Sequence, residues 1–127
     1  MKHSLAKIAF VALSFVGYVG TANALAQNAT SIKYFDENGA IVGQSIRECS
    51  AITYQAGNTH TAYTITEATS CGQNPGQHYI VPGTIIIAYT LPAFLPISTA
   101  CGIAECEPVG VAEPDELHDK GWTWTNP

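Results

Sequence analysis

Histidine, cysteine and carboxylate side chains are the groups through which this 127-residue chain could do chemistry. Beyond His3, the histidines are His60, His78 and His118. They form neither an H-E-x-x-H motif nor an i, i+4 pair, so a shared metal site would have to be assembled from distant loops. Asp36-Glu37-Asn38-Gly39 has the opening of a calcium loop. An EF-hand, however, needs glycine at its sixth position and a bidentate glutamate at its twelfth, and Gly39 stands fourth counting from Asp36. Gly43-Gln44-Ser45-Ile46-Arg47 lacks the closing glycine of a nucleophile elbow. No glycine-rich phosphate cradle is present. The expectation is a protein with no catalytic residue, no cofactor and no metal, and so not an enzyme.

The four cysteines, Cys49, Cys71, Cys101 and Cys106, are an even set in a small chain and predict two disulfides. Three pairings are open, and sequence proximity favours Cys49–Cys71 with Cys101–Cys106. Loop entropy would make these worth roughly 3 and about 2 kcal/mol. A four-thiolate zinc site is the rival, but it uses two tight C-x2–4-C knuckles, and only Cys101 to Cys106 approaches one. Paired cysteines leave no thiolate nucleophile. Near the end of the chain, Trp122 and Trp124 would point the same way in an extended segment. They are the candidate partner-binding residues, against the alternative that a terminal strand docks them on a sheet.

The disulfide reading depends on compartment, and residues 1–26 supply it. Lys2, His3 and Lys7 form a basic n-region, Ile8 to Val19 is an uncharged apolar run, and Ala24-Leu25-Ala26 offers a small-x-small cleavage site. The run is shorter than the roughly 20 residues a membrane-spanning helix needs. The expectation is a signal peptide cleaved after Ala26, with a periplasmic or secreted product and no transmembrane segment after cleavage. No cysteine follows the site, which argues against a lipoprotein. The mature chain, residues 27–127, is long enough for one small domain with a modest core. It keeps all ten acidic residues and only Lys33, Arg47 and Lys120, a formal charge of −7 against −5 for the whole chain. That balance excludes nucleic acid, which needs clustered Lys and Arg, and anionic lipid surfaces.

The elements that would position these groups are mostly strands. Asp36-Glu37-Asn38-Gly39 between Ile32–Phe35 and Ile41–Ile46 predicts a hairpin over residues 32–48. Of two registers, the bulged one with Gly39 left-handed pairs Phe35 with Ile41 and Tyr34 with Val42, and is preferred for its apolar cross-strand pairs. Gln55–Asn58 punctuates the next connection. Thr61–Thr66 alternates as a strand with Tyr63 and Ile65 on one face. Cys71–Gly76 is a turn cluster.

Tyr79–Ile97 is strongly apolar but broken by Pro82-Gly83, Pro92 and Pro96. Within it, Thr84–Leu91 is predicted as a central core strand and Pro92–Pro96 as extended. Left uncovered, this stretch would be a partner-binding surface. Glu105–Asp119 carries six acids and no Lys or Arg, and Pro114-Asp115-Glu116 could open a short helical turn. Asn28-Ala29-Thr30 matches an N-glycosylation sequon.

Tyr34-Phe35-Asp36-x-x-Gly39-x-x-Val42-Gly43 followed by Cys49 resembles a family of small exported bacterial proteins of unknown function. Gly57, Thr61, Tyr63 and Cys71 fill later positions of that pattern, while Ala56 stands where its tryptophan would be. The resemblance covers residues 33–71. It implies export and a Cys49–Cys71 pairing, and brings no activity or site residues.

The predicted fold is mainly β: a small disulfide-stabilised antiparallel sheet with an irregular C-terminal tail. It divides into signal peptide 1–26, a β domain 27–104, and an acidic, Trp-containing tail 105–127. The function expected is a non-enzymatic binding or structural module with a protein or glycan partner. The alternative is a small secreted protease inhibitor, with the Cys101–Cys106 loop presenting Ile103-Ala104-Glu105.

Overall fold

The computed structural model describes residues 27–71, 85–108, 111 and 113–127. The expected signal peptide 1–26 and residues 72–84, with His78 and parts of the turn cluster and apolar stretch, lie outside them. Among the described residues the strands are β1 (Asn28–Phe35), β2 (Ile41–Arg47), β3 (Thr53–Gly57), β4 (Tyr63–Ser70), β5 (Ile86–Thr90) and β6 (Trp124–Thr125). They form one antiparallel sheet in the order β5-β4-β1-β2-β3-β6. One α-helix is found among the described residues, α1 (Ile97–Ala104), which follows β5. The mainly β, two-disulfide architecture is the one the sequence predicts.

The β1–β2 hairpin forms where turn chemistry places it. Asp36 Oδ1 accepts the N–H groups of Asn38 and Ala40, both at 2.9 Å. Gly39 takes the left-handed conformation (φ 82°) that favours glycine. Phe35 pairs with Ile41, as the bulged register predicts, but Tyr34 pairs with Gly43 rather than Val42. The reason lies on the neighbouring strand. Val42 bulges so that its carbonyl accepts the Asn58 N–H at 2.7 Å, and Gly43 then faces Gly57 of β3. A Cβ on Gly43 would lie 2.3 Å from the Asn58 carbonyl oxygen, and one on Gly57 2.2 Å from that of Val42. The two chains approach this closely only because both residues lack side chains.

Residues 55–58, expected to be a connection, are instead the end of β3 and its exit. The loop entering β3 repeats the first hairpin's bonding. Glu48 N–H donates to Ile52 O and Ala51 N–H to Glu48 O, as Asp36 does to Ala40 O and Gly39 to Asp36 O. The left-handed position is filled by Ala51 (φ 68°) in place of glycine. A turn without its usual residue hid the strand.

Side chains alternate along β1, with Ala29, Ser31, Lys33 and Phe35 buried on one face. Phe35 and Ile65 meet Leu95 and the helix residues Ala100 and Ala104 in the core. The i, i+4 alanines have no bulk to hold the helix away from the sheet. Burying a Phe or Ile side chain contributes about 1.5–3 kcal/mol. The helix corrects the expectation of an extended segment before it: Leu95 N–H closes a turn onto Pro92 O, and Ala100 N–H bonds Pro96 O. β5 corrects a second expectation. Among the described strands it lies at the edge of the sheet, not at its centre, with Ile87 65% and Tyr89 55% exposed. Pro114–Glu116 is irregular, and the short 3-10 turn falls later, at His118–Lys120.

Candidate functional site

The inward face of the sheet is not wholly apolar. Beside the core it carries Ser31, Lys33, Gln44 and Glu67, all completely buried. The β1–β2 register sets Lys33 opposite Gln44, and the β1–β4 register sets Ser31 opposite Glu67. Lys33 Nζ lies 2.9 Å from Glu67 Oε1. Such burial is costly unless every charge is satisfied. Satisfaction comes from the irregular strap that follows α1. Lys33 Nζ donates to Glu105 O at 2.8 Å, and Glu67 Oε2 accepts the Glu107 N–H at 2.7 Å. Gln44 donates through Nε2 to Ser31 Oγ and to Asp115 O, and accepts the Leu117 N–H through Oε1, all at 3.0 Å. The strap is therefore pinned to the sheet through the main chain of Glu105, Glu107, Asp115 and Leu117, with the Leu117 side chain buried.

On its outer side the strap forms an open cleft of about 460 Å³ lined by Glu105, Glu107, Asp115, Glu116, His118 and Asp119. Burial raises the Glu107 carboxyl above its ordinary value of 4.5, against the lowering effects of the Asp115 N–H bond and Lys33. That bond joins Asp115 N–H to Glu107 Oε1 at 3.0 Å. His118 Nε2 approaches Glu116 Oε2 at 3.0 Å, and its ring lies 5.8 Å from that of Trp124. His60 is exposed in the β3–β4 connection, and its N–H is held by Asn58 Oδ1. Among the described residues no three His, Cys, Asp or Glu side chains are grouped as metal ligands.

Both disulfides form between sequence neighbours. Cys49–Cys71 joins the ends of the segments leaving β2 and β4, the two strands that flank β1. Cys101–Cys106 ties the last turn of α1 to the start of the strap. Ile103 and Ala104 belong to that helical turn, and Ala104 is fully buried. The segment expected to present Ile103-Ala104-Glu105 is thus the last turn of α1 and its left-handed cap at Glu105.

Trp124 pairs with Ala56 through β6, and both Trp122 and Trp124 are half-buried. The Trp124 Nε1 atom is buried without a hydrogen-bond partner among the described residues. The apolar stretch that the sequence offers as a partner-binding surface if left uncovered is open in part: Ile87 and Tyr89 of β5 and Phe94 of the following turn, which is 65% exposed. Phe94 lies over the first hairpin, its ring 3.2 Å from where a Cβ on Gly39 would stand. From Ile85 to Ile97 the chain has no charged residue.

No protein-family model, no curated protein and no solved structure matches this chain.

Proposed function

We propose that this chain is an exported, non-enzymatic binding or structural module of the periplasm or extracellular space, and that it takes a protein partner at the β5 surface. The observation that carries the reading is the exposure of the large apolar side chains Ile87, Tyr89 and Phe94 on β5 and in the turn that follows it. Large apolar side chains left open to solvent along one stretch of chain offer surface that a partner can bury. The chemistry favours a protein over a glycan. Ile87 is a branched aliphatic side chain, suited to an apolar strip of a partner, whereas the tryptophans that could stack on a sugar are half-buried.

Two disulfides, with all four cysteines paired, support an oxidising compartment. No helix among the described residues is long and apolar enough to cross a membrane. The resemblance of residues 33–71 to small exported bacterial proteins points the same way.

The test is retention of envelope proteins on immobilised mature protein, comparing wild type with the double variant I87D/F94D. Specific retention that falls about tenfold or more in the variant is expected, equivalent to about 1.4 kcal/mol. Equal retention by both, or none by either, would sink the proposal.

A further inference from the structure

The four hydrogen bonds between the sheet side chains and the strap obey one rule. Lys33 and Glu67 together bind the carbonyl of Glu105 and the N–H of Glu107. Gln44 alone binds the carbonyl of Asp115 and the N–H of Leu117. Each station thus offers one donor and one acceptor to the carbonyl of residue i and the amide of residue i+2. All four of these bonds go to main-chain atoms of the strap. One station uses an ammonium–carboxylate pair from β1 and β4, the other a single carboxamide from β2.

We propose that this face of the sheet is a peptide-binding groove that recognises main chain, and that the strap segments around Glu105–Glu107 and Asp115–Leu117 occupy it in cis as a displaceable internal ligand. The occupant in trans is a peptide segment of a partner protein that presents the same carbonyl and amide pairs. Three features support this. The stations are buried and rigid, because each is rooted in a paired strand. Their selectivity is for backbone, so the acidic sequence of the strap is not required for the fit. Among its described residues from 106 to 117 the strap has no sheet or helix ladder, so the bonds to the stations, with the Cys101–Cys106 disulfide at its start, are what fasten it to the sheet and helix. Irregular segments with few bonds of their own occupy the low end of local stability. The inference is independent of the β5 surface and would survive its failure.

The probe is a fluorescent synthetic peptide with the sequence of residues 105–119, carrying Cys106→Ser, added to the full mature chain. Leu117→Asp places a charge at a buried strap position and leaves Lys33, Glu67, Ser31 and Gln44 untouched. Anisotropy should show the peptide binding L117D at least tenfold more tightly than wild type, where the cis strap competes at high effective concentration. Adding Q44L in the L117D background should cost about tenfold again, as expected for two lost hydrogen bonds. A folded L117D protein that does not bind overturns the proposal, as does binding that ignores Q44L.

If L117D fails to fold, native-state hydrogen exchange on the wild type decides. The Glu107 and Leu117 amides should exchange through an opening insensitive to low urea, while β1 and β4 amides exchange only with global unfolding. Strap amides that follow the β1 amides in urea dependence would overturn the proposal.

Discussion

At the scale of residues, the Lys33–Glu67 pair sets the terms for everything laid over it. Two fully buried charges on adjacent strands gain little from each other net of desolvation. Their additional bonds to Glu105 O and Glu107 N make the arrangement sustainable. K33M, which strands Glu67 without a counter-ion, should lose about 3–5 kcal/mol in urea denaturation. In many proteins, replacing both members of such a pair by apolar groups restores stability. Here K33M/E67M should remain below wild type, because the strap carbonyl and amide each lose a partner at about 1–3 kcal/mol. A double variant as stable as wild type would show that those backbone bonds contribute nothing.

Glu107 gives the same region a pH dependence. Burial raises its carboxyl, so the folded state holds the proton more tightly than the unfolded chain does. The stability linked to this proton is fully present below the unfolded value of 4.5 and is lost as pH rises through the higher folded value. E107Q keeps an acceptor for the Asp115 N–H and cannot ionise. The stability difference between E107Q and wild type should therefore move in favour of E107Q as pH rises through that window. Urea titrations at several pH values would show it, and a gap that stayed constant would contradict the assignment.

At the scale of elements, the two hairpin loops form an internal comparison. They share a bonding pattern and differ in the residue at the left-handed position, Gly39 in one and Ala51 in the other. A51G should stabilise the protein by on the order of 1 kcal/mol, since the strain of a left-handed alanine exceeds the extra chain entropy of glycine. G43A should do the opposite and unseat β3, because its Cβ would fall 2.3 Å from a backbone oxygen. Thermal melts of the two variants should shift in opposite directions.

This comparison also explains what was legible beforehand. The first hairpin could be found because Asp36 and Gly39 carry its turn chemistry in their types. The second could not, because Ser50-Ala51 carries none. The register error at Tyr34 has a related cause. Val42 bulges to reach Asn58, a residue of another connection, and no local pattern in β2 encodes that bond.

At the scale of the whole molecule, an acidic chain is built around a polar row that alternation alone would have filled with apolar side chains. Lys33 and Glu67 read as ordinary strand charges in sequence, and only the placement of β1 in the middle of the sheet buries them. The same placement puts the most apolar stretch at an edge. Central position and hydrophobicity are thus uncoupled here. A strand order cannot be read from composition, because it depends on which segments return to β1. The two disulfide partnerships were legible from spacing, since each closes between sequence neighbours.

The edge position of β5 is also what gives the chain an apolar surface to offer a partner, and site-specific photo-crosslinking in the producing cell tests that claim most directly. A photoreactive residue replacing Phe94 should trap a discrete protein adduct, while the same residue at Thr30, on the opposite face of the sheet, should trap none. Adducts of equal yield from both positions, or none from Phe94, would contradict the assignment of β5 and its turn as the binding surface.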